Sequence, residues 1–563
     1  MTNKLWLPRH TYRYVSRYLE IAHVLAKYGF SDLVAAIRLD RFLPFKKKLV
    51  REGKDPRLAS LSRWERVRLA LEELGPTFIK FGQIMSNRPD LVPEDLILEL
   101  KKLQESVPAF PSETAKQLVE QELNMPIDSL FSDFSIDPIA AASISQVHKA
   151  TLPSGEHVAV KVQRPNIEQV IKTDLEIVFH LASLAERHIE GMETLDPVAM
   201  VKEFERSITQ ELDFTIEASH IETFSRKFSG DETVYVPHVY VDHTTRRVLT
   251  MELIDGIRPS DRETIIQAGL DPKVIAARGA DSILKQVFEH GFFHADPHPG
   301  NMRILEGNVI CFLDFGMMGF LLPRDRKYLG DILIGLANQD APRITRTLTH
   351  MSRGERPENP EQLEYDVYAL LERYSYRSLK EIDLLDSLNE LVSLVTDHKL
   401  YVAADLYLLA KALMIIEGVG RNLDPDFDFV EHATPFAKRL IKERLSLPDL
   451  AKDVYLSLTD LALLLRDLPA DTRDLIDQAK RGQLKVKFEH QGLEPMLKTH
   501  EQISNRIAFS IVLSALIVGS ALIMRADIPP KVYGIPIIGA LGFLAAGVMG
   551  FWLLVSILSH GKM

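Results

Sequence analysis

The sequence predicts an α+β protein with a helical N-terminal arm, a mixed core, a second helical lobe and a membrane-spanning helical hairpin at the C-terminus. Helical patterns follow one another over residues 1–125, whereas short β-branched runs such as HVAVKV begin after Pro138. Two long charge-free runs close the chain. We expect four parts with these bounds: a helical extension over 1–125, an α+β core over 126–330, a helical lobe over 331–490 and the hairpin over 500–563.

The composition is that of a globular protein and excludes several functional classes. The 563 residues are 46% apolar and 26% charged, which allows a large buried core. The net charge of -11 argues against a nucleic-acid partner, because phosphate binding requires clustered Lys and Arg. A single cysteine, Cys311, excludes an internal disulfide framework and any Cys-rich metal site. That cysteine usage fits a reducing compartment.

In the helical arm, the stretch FIKFGQIMSNRPDLVP places polar residues inside an apolar helix. Phe78, Phe81 and Met85 fall on one apolar stripe, while Lys80 and Gln83 share another face. A solvated face with an extended lysine is the simpler interpretation. The alternative is that this polar face is turned inward, where the lysine ammonium needs carboxylate or phosphate partners.

The α+β core begins with a hairpin whose second strand carries a lysine. Lys161 lies in VAVKVQRP, the position of a lysine that binds nucleotide phosphates from a strand, although an edge-strand lysine is the alternative. The preceding turn consists of Ala140, Ala141, Ala142 and Ser143. Alanine keeps the backbone N–H donors that can face phosphates but lacks the positive φ of glycine. We therefore expect a stiffer phosphate-covering loop, with a small-residue turn under a helix as the alternative.

The clearest chemical signal is FFHADPHPGNMRIL followed by VICFLDFGMMG. Asp296 can orient a hydroxyl or water, and Asn301 and Asp314 can supply oxygen ligands to Mg²⁺, which is the set that phosphoryl transfer needs. The order DxxxxN, strand and DFG makes the pattern specific. A zinc site formed by His294 and His298 with Asp296 is a weaker alternative, because further ligands are not nearby in the sequence.

The helical lobe follows the DFG motif without an intervening activation segment. MMGFLLPRDRKYLGDILIGL runs directly into an amphipathic helix, and a helical texture continues from Pro323 to about Leu484. Neither an APE motif nor a Ser/Thr-rich segment follows Asp314. We therefore expect the docking platform for a protein substrate to be absent.

The C-terminal hairpin is predicted from two charge-free runs, about 507–524 and 535–558, joined by the Pro-rich turn RADIPPKVYG. Both are long enough to cross a hydrocarbon core, although a buried helical pair in a soluble protein is the alternative. Basic residues flank both ends, so charge alone does not decide the orientation. The lone reduced cysteine and the nucleotide chemistry favour a cytoplasmic position for the bulk of the chain. The N-terminus MTNKLWLPRH has no secretory signal, so we expect a bacterial plasma membrane, with a plastid membrane as the alternative.

Together, the motifs KFGQ, AAASISQVH, VAVKVQRP, ELDFTIEA, FFHADPHPGN and LDFG resemble the UbiB family of atypical kinase-like proteins, also called ABC1 or ADCK. The resemblance covers roughly residues 60 to 430, and the combined motifs are highly specific. It implies a protein-kinase-like bilobal fold that binds ATP and Mg²⁺, with the N-terminal extension folded over the place of a peptide substrate. Ser145 departs from the family pattern, in which many members carry glycine or alanine.

The resemblance also implies roles for individual residues. It makes Glu217 the partner of Lys161, and because Asp213 lies four positions before Glu217 we expect both on one helix face, although solvated carboxylates are the alternative. The remaining residues belong to family motifs or to the implied ATP site: Lys80 and Gln83 of the KxGQ motif, Glu211 and Asp213 of the ExD motif, and Glu252 and Leu253 beside the nucleotide.

The sequence thus predicts a membrane-anchored atypical kinase or ATPase that supports prenyl-quinone biosynthesis, by ATP hydrolysis or by phosphorylation of a small lipid. Two alternatives remain: a conventional protein kinase, which needs a glycine loop and an activation segment, and a non-catalytic nucleotide-gated lipid-binding scaffold, which needs no metal-binding aspartates. The expected cofactors are ATP and Mg²⁺. The expected partners are membrane lipids, prenyl-quinone precursors and other quinone-biosynthesis proteins.

Overall fold

The computed structural model contains two compact units, Met1–Ala451 and Lys452–Met563, which we describe separately. It describes residues 9–30, 61–89, 91–103, 108–188, 196–352, 357, 359–375, 384–400, 402–444, 493–526, 530–532 and 535–560, with single helical positions at 466, 473 and 480. The part of the predicted helical texture between 445 and about Leu484 lies outside these residues, apart from the three single positions.

The described part of the first unit begins with helices. Ser62 and Glu65 form a capping box at the start of the second helix, and Pro76 stands in the first turn of the third. Gly82 allows close packing, because a Cβ at this position would lie 2.3 Å from a methyl carbon of Leu103. The helices are α1 (Arg9–Lys27), α2 (Arg63–Leu74), α3 (Pro76–Met85), α4 (Glu94–Leu100), α5 (Ser112–Leu123) and α6 (Ile127–Leu130).

An antiparallel sheet follows, with strand order β1-β2-β3-β5. Its strands are β1 (Asp133–Ala141), β2 (Ser145–Thr151), β3 (His157–Gln163) and β5 (Val248–Glu252), while β4 (Val234–Tyr235) belongs to another sheet. Val158, Val160 and Val162 on one face of β3 are fully buried against α5 and α6. The opposite face of β3 therefore directs Lys161 away from this core.

In the described part of the chain between β3 and β4 lie the α-helices α7 (Ile167–His188), α8 (Pro197–Glu211) and α9 (Phe214–Lys227). The prediction that Asp213 and Glu217 share a helix face is wrong, because α9 begins after Asp213. Asp213 is the N-cap and accepts hydrogen bonds from the backbone N–H and the hydroxyl of Thr215, at 3.1 and 2.5 Å. An unpaired N–H at a helix start attracts such a carboxylate, so Asp213 points along the helix rather than outward from it.

The second half of this unit packs short strands between helices. Phe224, Phe293, Phe312 and Phe315 are fully buried in its core. Strand β8 lies between β4 and β7, and β6 pairs with β9. The elements are α10 (Arg262–Gln267), α11 (Pro272–Leu284), a π-helical turn (Lys285–His290), β6 (Phe292–His294), β7 (Met302–Leu305), β8 (Val309–Phe312), β9 (Met318–Phe320), α12 (Pro323–Ala337), α13 (Ala341–Met351), α14 (Pro360–Ser375), α15 (Leu384–Asp397), α16 (Ala404–Leu423) and α17 (Phe429–Arg444).

Apart from the three single positions, the described residues of the second unit form two helices joined by a short ladder: α18 (Leu493–Arg525), β10 (Lys531–Val532), β11 (Ile535–Pro536) and α19 (Ile537–His560). Small residues form the contact between the helices, since Gly539 and Gly542 lie against Met524 and Ser520. Among the described residues one helical segment, Arg506–Arg525, is long and apolar enough to cross a membrane, with a mean hydropathy of 2.5. Ile537–Phe551 is a shorter apolar segment of α19.

Candidate kinase-like nucleotide site

Lys161 on β3 lies between two carboxylates that reach it from different elements. Its Nζ is 2.8 and 3.0 Å from the two carboxylate oxygens of Glu217 on α9, and 3.8 Å from Oδ2 of Asp314 after β8. The Glu217 side chain is only 6% exposed, whereas that of Asp314 is 48% exposed. Lys161 therefore has one buried partner and one partner that is open to a ligand.

The charges of Lys161, Glu217 and Asp314 depend on one another. Burial alone would lower the pKa of Lys161, but Asp314 and Glu217 together raise it, so the ammonium stays charged. Lys161 in turn holds the pKa of Asp314 below its usual value, against the opposing effect of the partial burial of this half-exposed carboxylate and helped by a 2.9 Å hydrogen bond from the Gly316 N–H. Asp314 is therefore ionised at neutral pH and can ligate a cation.

The loop that carries Asp296 and Asn301 is joined to the segment of Asp314 by backbone and amide hydrogen bonds. The Asn301 side-chain N–H donates to the Asp296 carbonyl at 3.3 Å, and the Leu313 N–H donates to the Asn301 carbonyl at 2.9 Å. These hydrogen bonds do not use the side-chain amide oxygen of Asn301, which is the type of atom that can ligate Mg²⁺. Among the described residues no group of three or more His, Cys, Asp or Glu side chains is placed to hold a metal ion, so the zinc alternative gains no support.

Sequence reasoning missed one residue of this site. Lys411 on α16 places its Nζ 3.1 Å from Oδ1 of Asp296. The ammonium of Lys411 adds positive charge beside Asp296, where a phosphoryl group would react. The one signal in the sequence was a lysine within the otherwise apolar helical run LLAKALMII, and such a pattern alone does not identify a partner far along the chain.

The predicted phosphate-covering loop is a tight turn between β1 and β2. Ala140 and Ala141 belong to β1, and the Ala142 N–H donates to the Ser145 carbonyl at 2.8 Å. That donor is therefore already used within the hairpin. The Ser143 side chain is 1% exposed, and its hydroxyl has no hydrogen-bond partner among the described residues.

The strand end predicted to lie beside the nucleotide uses its own N–H groups within the fold. The Glu252 N–H donates to the His238 carbonyl at 2.8 Å, and the Leu253 N–H donates to the His157 carbonyl at 3.0 Å. The Glu252 carboxylate accepts the Tyr235 hydroxyl at 2.8 Å. The N–H groups of Glu252 and Leu253 are therefore already used within the fold.

The polar face of α3 is turned inward. Lys80 forms an ion pair with Glu211 at the end of α8, and its side chain is 13% exposed, which excludes the solvated-face interpretation. Its charge also contributes to lowering the pKa of Asp314. Gln83 donates to the Leu103 carbonyl at 3.4 Å. Asp213, the other residue of the ExD motif, caps α9, and its Oδ2 lies 3.6 Å from Nε of Arg246.

A strand lysine paired with a helix glutamate, together with an aspartate after an apolar strand and an Asp/Asn loop, defines a protein-kinase-like fold with mixed helices and strands. Comparisons with known proteins narrow this class. The profile of the ABC1 atypical kinase-like domain matches residues 102–348, that of the UbiB helical domain matches 367–428, and that of the ABC1/UbiB kinase-like C-terminal domain matches 491–559. The chain belongs to the ABC1/UbiB family of atypical kinase-like proteins.

The relatives extend over most of the chain. An uncharacterised protein from the 5′ region of hydrogenase 1 in Clostridium pasteurianum is 34% identical over 98% of this chain and 100% of its own length. The probable protein kinase UbiB of Marinobacter nauticus is 39% identical over 70% of this chain and 73% of its own, and that of Pseudomonas fluorescens is 37% identical over 84% and 88%. A solved structure, the complex of Rv3197 with erythromycin from Mycobacterium tuberculosis, has 22% identity and a TM-score of 0.44, with 64% of this chain and 90% of that chain covered.

Proposed function

We propose that this protein is a membrane-anchored atypical kinase or ATPase that binds ATP and Mg²⁺ and supports prenyl-quinone biosynthesis of the ubiquinone type. The reaction is ATP hydrolysis or phosphorylation of a small lipid. The observation that carries the proposal is the position of Lys161 between buried Glu217 and half-exposed Asp314. Membership of the UbiB family, whose relatives include probable protein kinases, supports it further.

The residues present fit ATP and Mg²⁺. Lys161 would contact the phosphates, with Glu217 fixing its side chain, and the oxygens of Asp314 and Asn301 would hold Mg²⁺. Bound Mg²⁺ supplies charge neutralisation at the phosphates. Asp296 would orient the acceptor hydroxyl or water.

The turn and the strand end would hold the rest of the nucleotide. The small side chains of the β1–β2 turn would lie near the phosphates, and the Ser143 hydroxyl, which is buried without a hydrogen-bond partner among the described residues, would contact them. Glu252 and Leu253 would contact the base through carbonyl oxygens. A regulatory role is proposed for the KxGQ and ExD residues, because α3, the end of α8 and the start of α9 bring their polar and charged side chains to the edge of the site. These residues are Lys80, Gln83, Glu211 and Asp213.

The membrane part of the proposal rests on α18 and α19. The segment 506–525 is long and apolar enough to span a bilayer, and the apolar α19 packs on α18 through glycines. We propose that the two form a transmembrane hairpin that anchors the kinase-like core, residues 126–330, on the cytoplasmic face of a bacterial plasma membrane. Membrane lipids, prenyl-quinone precursors and other quinone-biosynthesis proteins would then be its partners.

The decisive experiment is phosphate release from ATP by the full-length protein in detergent and in liposomes, with and without prenylphenol lipids. Wild type should release phosphate, and Asp314→Asn should not. If wild type releases no more phosphate than Asp314→Asn under every condition and labels no lipid, the enzymatic proposal is wrong. The non-catalytic scaffold would then be the better description.

A further inference from the structure

The site works only if α9, which carries Glu217, keeps its position relative to the turn that carries Asp314. Apolar contacts join the two, since the ring of Phe224 lies 5.1 Å from that of Phe315. Such contacts are non-directional and allow small shifts of one element along another. Lys161 bridges the two carboxylates through its flexible side chain, and a directional contact between α9 and the turn would fix the distance between Glu217 and Asp314 more closely.

His220 supplies a link of this kind. It lies three positions after Glu217, on the adjacent turn of α9, and its Nδ1 is 2.9 Å from the carbonyl oxygen of Phe315. A carbonyl oxygen can only accept, so Nδ1 carries the proton and donates. Phe315 stands inside a turn that is itself closed by the Gly316 N–H donating to Asp314 at 2.9 Å. The hydrogen bond from His220 thus connects α9 to the middle of a fixed turn.

The ring of His220 is also restricted by its neighbours. Its centroid lies 5.8 Å from that of Phe292 and 6.1 Å from that of Phe320, and these two phenylalanines are opposite each other in the β6–β9 ladder. Strand β6 leads into the loop of Asp296, and β9 follows the DFG turn. The imidazole therefore links the helix that carries Glu217, the turn that carries Asp314 and the ladder that leads into the loop of Asp296.

We propose that His220 is a positioning residue that sets the distance between Glu217 and Asp314, and thereby the geometry in which Lys161 and a bound metal meet nucleotide phosphates. The inference rests on the proposed nucleotide-binding function. It predicts that loss of the hydrogen bond lowers the affinity for Mg²⁺–ATP by about threefold to tenfold, which is the effect of one hydrogen bond. The effect on the stability of the fold should be smaller.

The test compares His220→Leu, which removes the donor, with His220→Asn, whose side-chain N–H can replace Nδ1–H. His432→Leu is the matched control, because His432 is also half-buried, bonds across elements to Asp281 at 3.2 Å and stacks on Phe427 at 5.3 Å. Each full-length variant is measured by thermal shift with and without Mg²⁺ and ATP. Amide hydrogen exchange of α9 and residues 313–318 is measured without nucleotide.

We expect His220→Leu to lower Mg²⁺–ATP affinity and to speed exchange in both segments, His220→Asn to restore both, and His432→Leu to change neither. Equal nucleotide affinity and equal exchange in His220→Leu and wild type would overturn the inference, as would an Asn variant as defective as the Leu variant. If wild type itself gains no stability from Mg²⁺ and ATP, the proposed function fails. The exchange comparison still decides whether His220 holds α9 to the turn.

Discussion

Replacing Asp314 by Asn tests the proposed metal site with little disturbance of the fold. Asparagine has the same shape, and its oxygen can still accept the Gly316 N–H that Asp314 accepts at 2.9 Å. The substitution therefore removes one negative charge, 3.8 Å from the Nζ of Lys161, and one charged oxygen that could ligate Mg²⁺.

The cost to stability follows from exposure. The Asp314 side chain is 48% exposed, so solvent screens its attraction for Lys161, and Lys161 keeps Glu217 at 2.8 Å. The free energy of unfolding should therefore fall by about 0.5 to 1 kcal/mol, as for partly exposed ion pairs. Glu217→Gln removes the buried partner instead, and because Asp314 remains as a second carboxylate the loss should be about 2 kcal/mol rather than the larger value of an isolated buried pair.

Asp314→Asn should affect the stabilisation by nucleotide much more than it affects the stability of the protein without nucleotide. A ligand present at about one hundred times its dissociation constant stabilises a folded protein by about 2.7 kcal/mol. Wild type should gain this from ATP with Mg²⁺ and less from ATP with EDTA, whereas Asp314→Asn should show no difference between the two. Thermal shift of the detergent-solubilised protein measures the stabilisation by ATP with Mg²⁺ and by ATP with EDTA. An Mg²⁺-dependent shift of the same size in Asp314→Asn and wild type would refute the assignment of Asp314 as a metal ligand.

Three other perturbations test separate parts of the molecule. Lys80→Ala should change the relative affinities for ATP and ADP or permit autophosphorylation, and identical titrations with no labelling would contradict a regulatory role. Truncation after Gln502 should move the protein from the carbonate-resistant membrane fraction to the soluble one while retaining Mg²⁺–ATP stabilisation, and a full-length protein that washes off equally would not have a transmembrane hairpin. Lys411→Met should lower turnover about tenfold to a hundredfold with little change in ATP affinity, because its charge lies at Asp296. Lys273→Met, at an exposed ion pair of the same lobe, is its control, and equal turnover in the two variants would remove Lys411 from the site.

Features that depend on local pattern could be predicted from the sequence. The strand of Lys161 alternates with a period of two, and the apolar strand before Asp314 is followed at once by the DFG turn, so both were located to within a few residues. The pairing of Lys161 with Glu217 came from the family resemblance, and the distance between the two side chains agrees with it. Local sequence patterns therefore predict where the elements lie along the chain, and the family resemblance predicts which of them are in contact.

Features that depend on tertiary contacts or on backbone donors could not be predicted. Lys411 reaches Asp296 from a helix that is remote in sequence, and no periodicity reports such a contact. The role of Asp213 depends on where a helix starts, and helix boundaries are poorly determined by sequence pattern. The Ala142 N–H, expected to face phosphates, is used inside its own hairpin, which is visible only once strand register is known.

The backbone pairing at the end of β5 has a consequence for chemical probes. A heterocyclic compound at this strand end could accept a hydrogen bond from a backbone N–H only where that donor is free. Here the N–H groups of Glu252 and Leu253 already donate to His238 and His157. A heterocycle that relies on either donor would have to break an existing hydrogen bond in order to bind. Compounds that donate to carbonyl oxygens should therefore discriminate this protein from kinases whose corresponding strand end offers a free N–H.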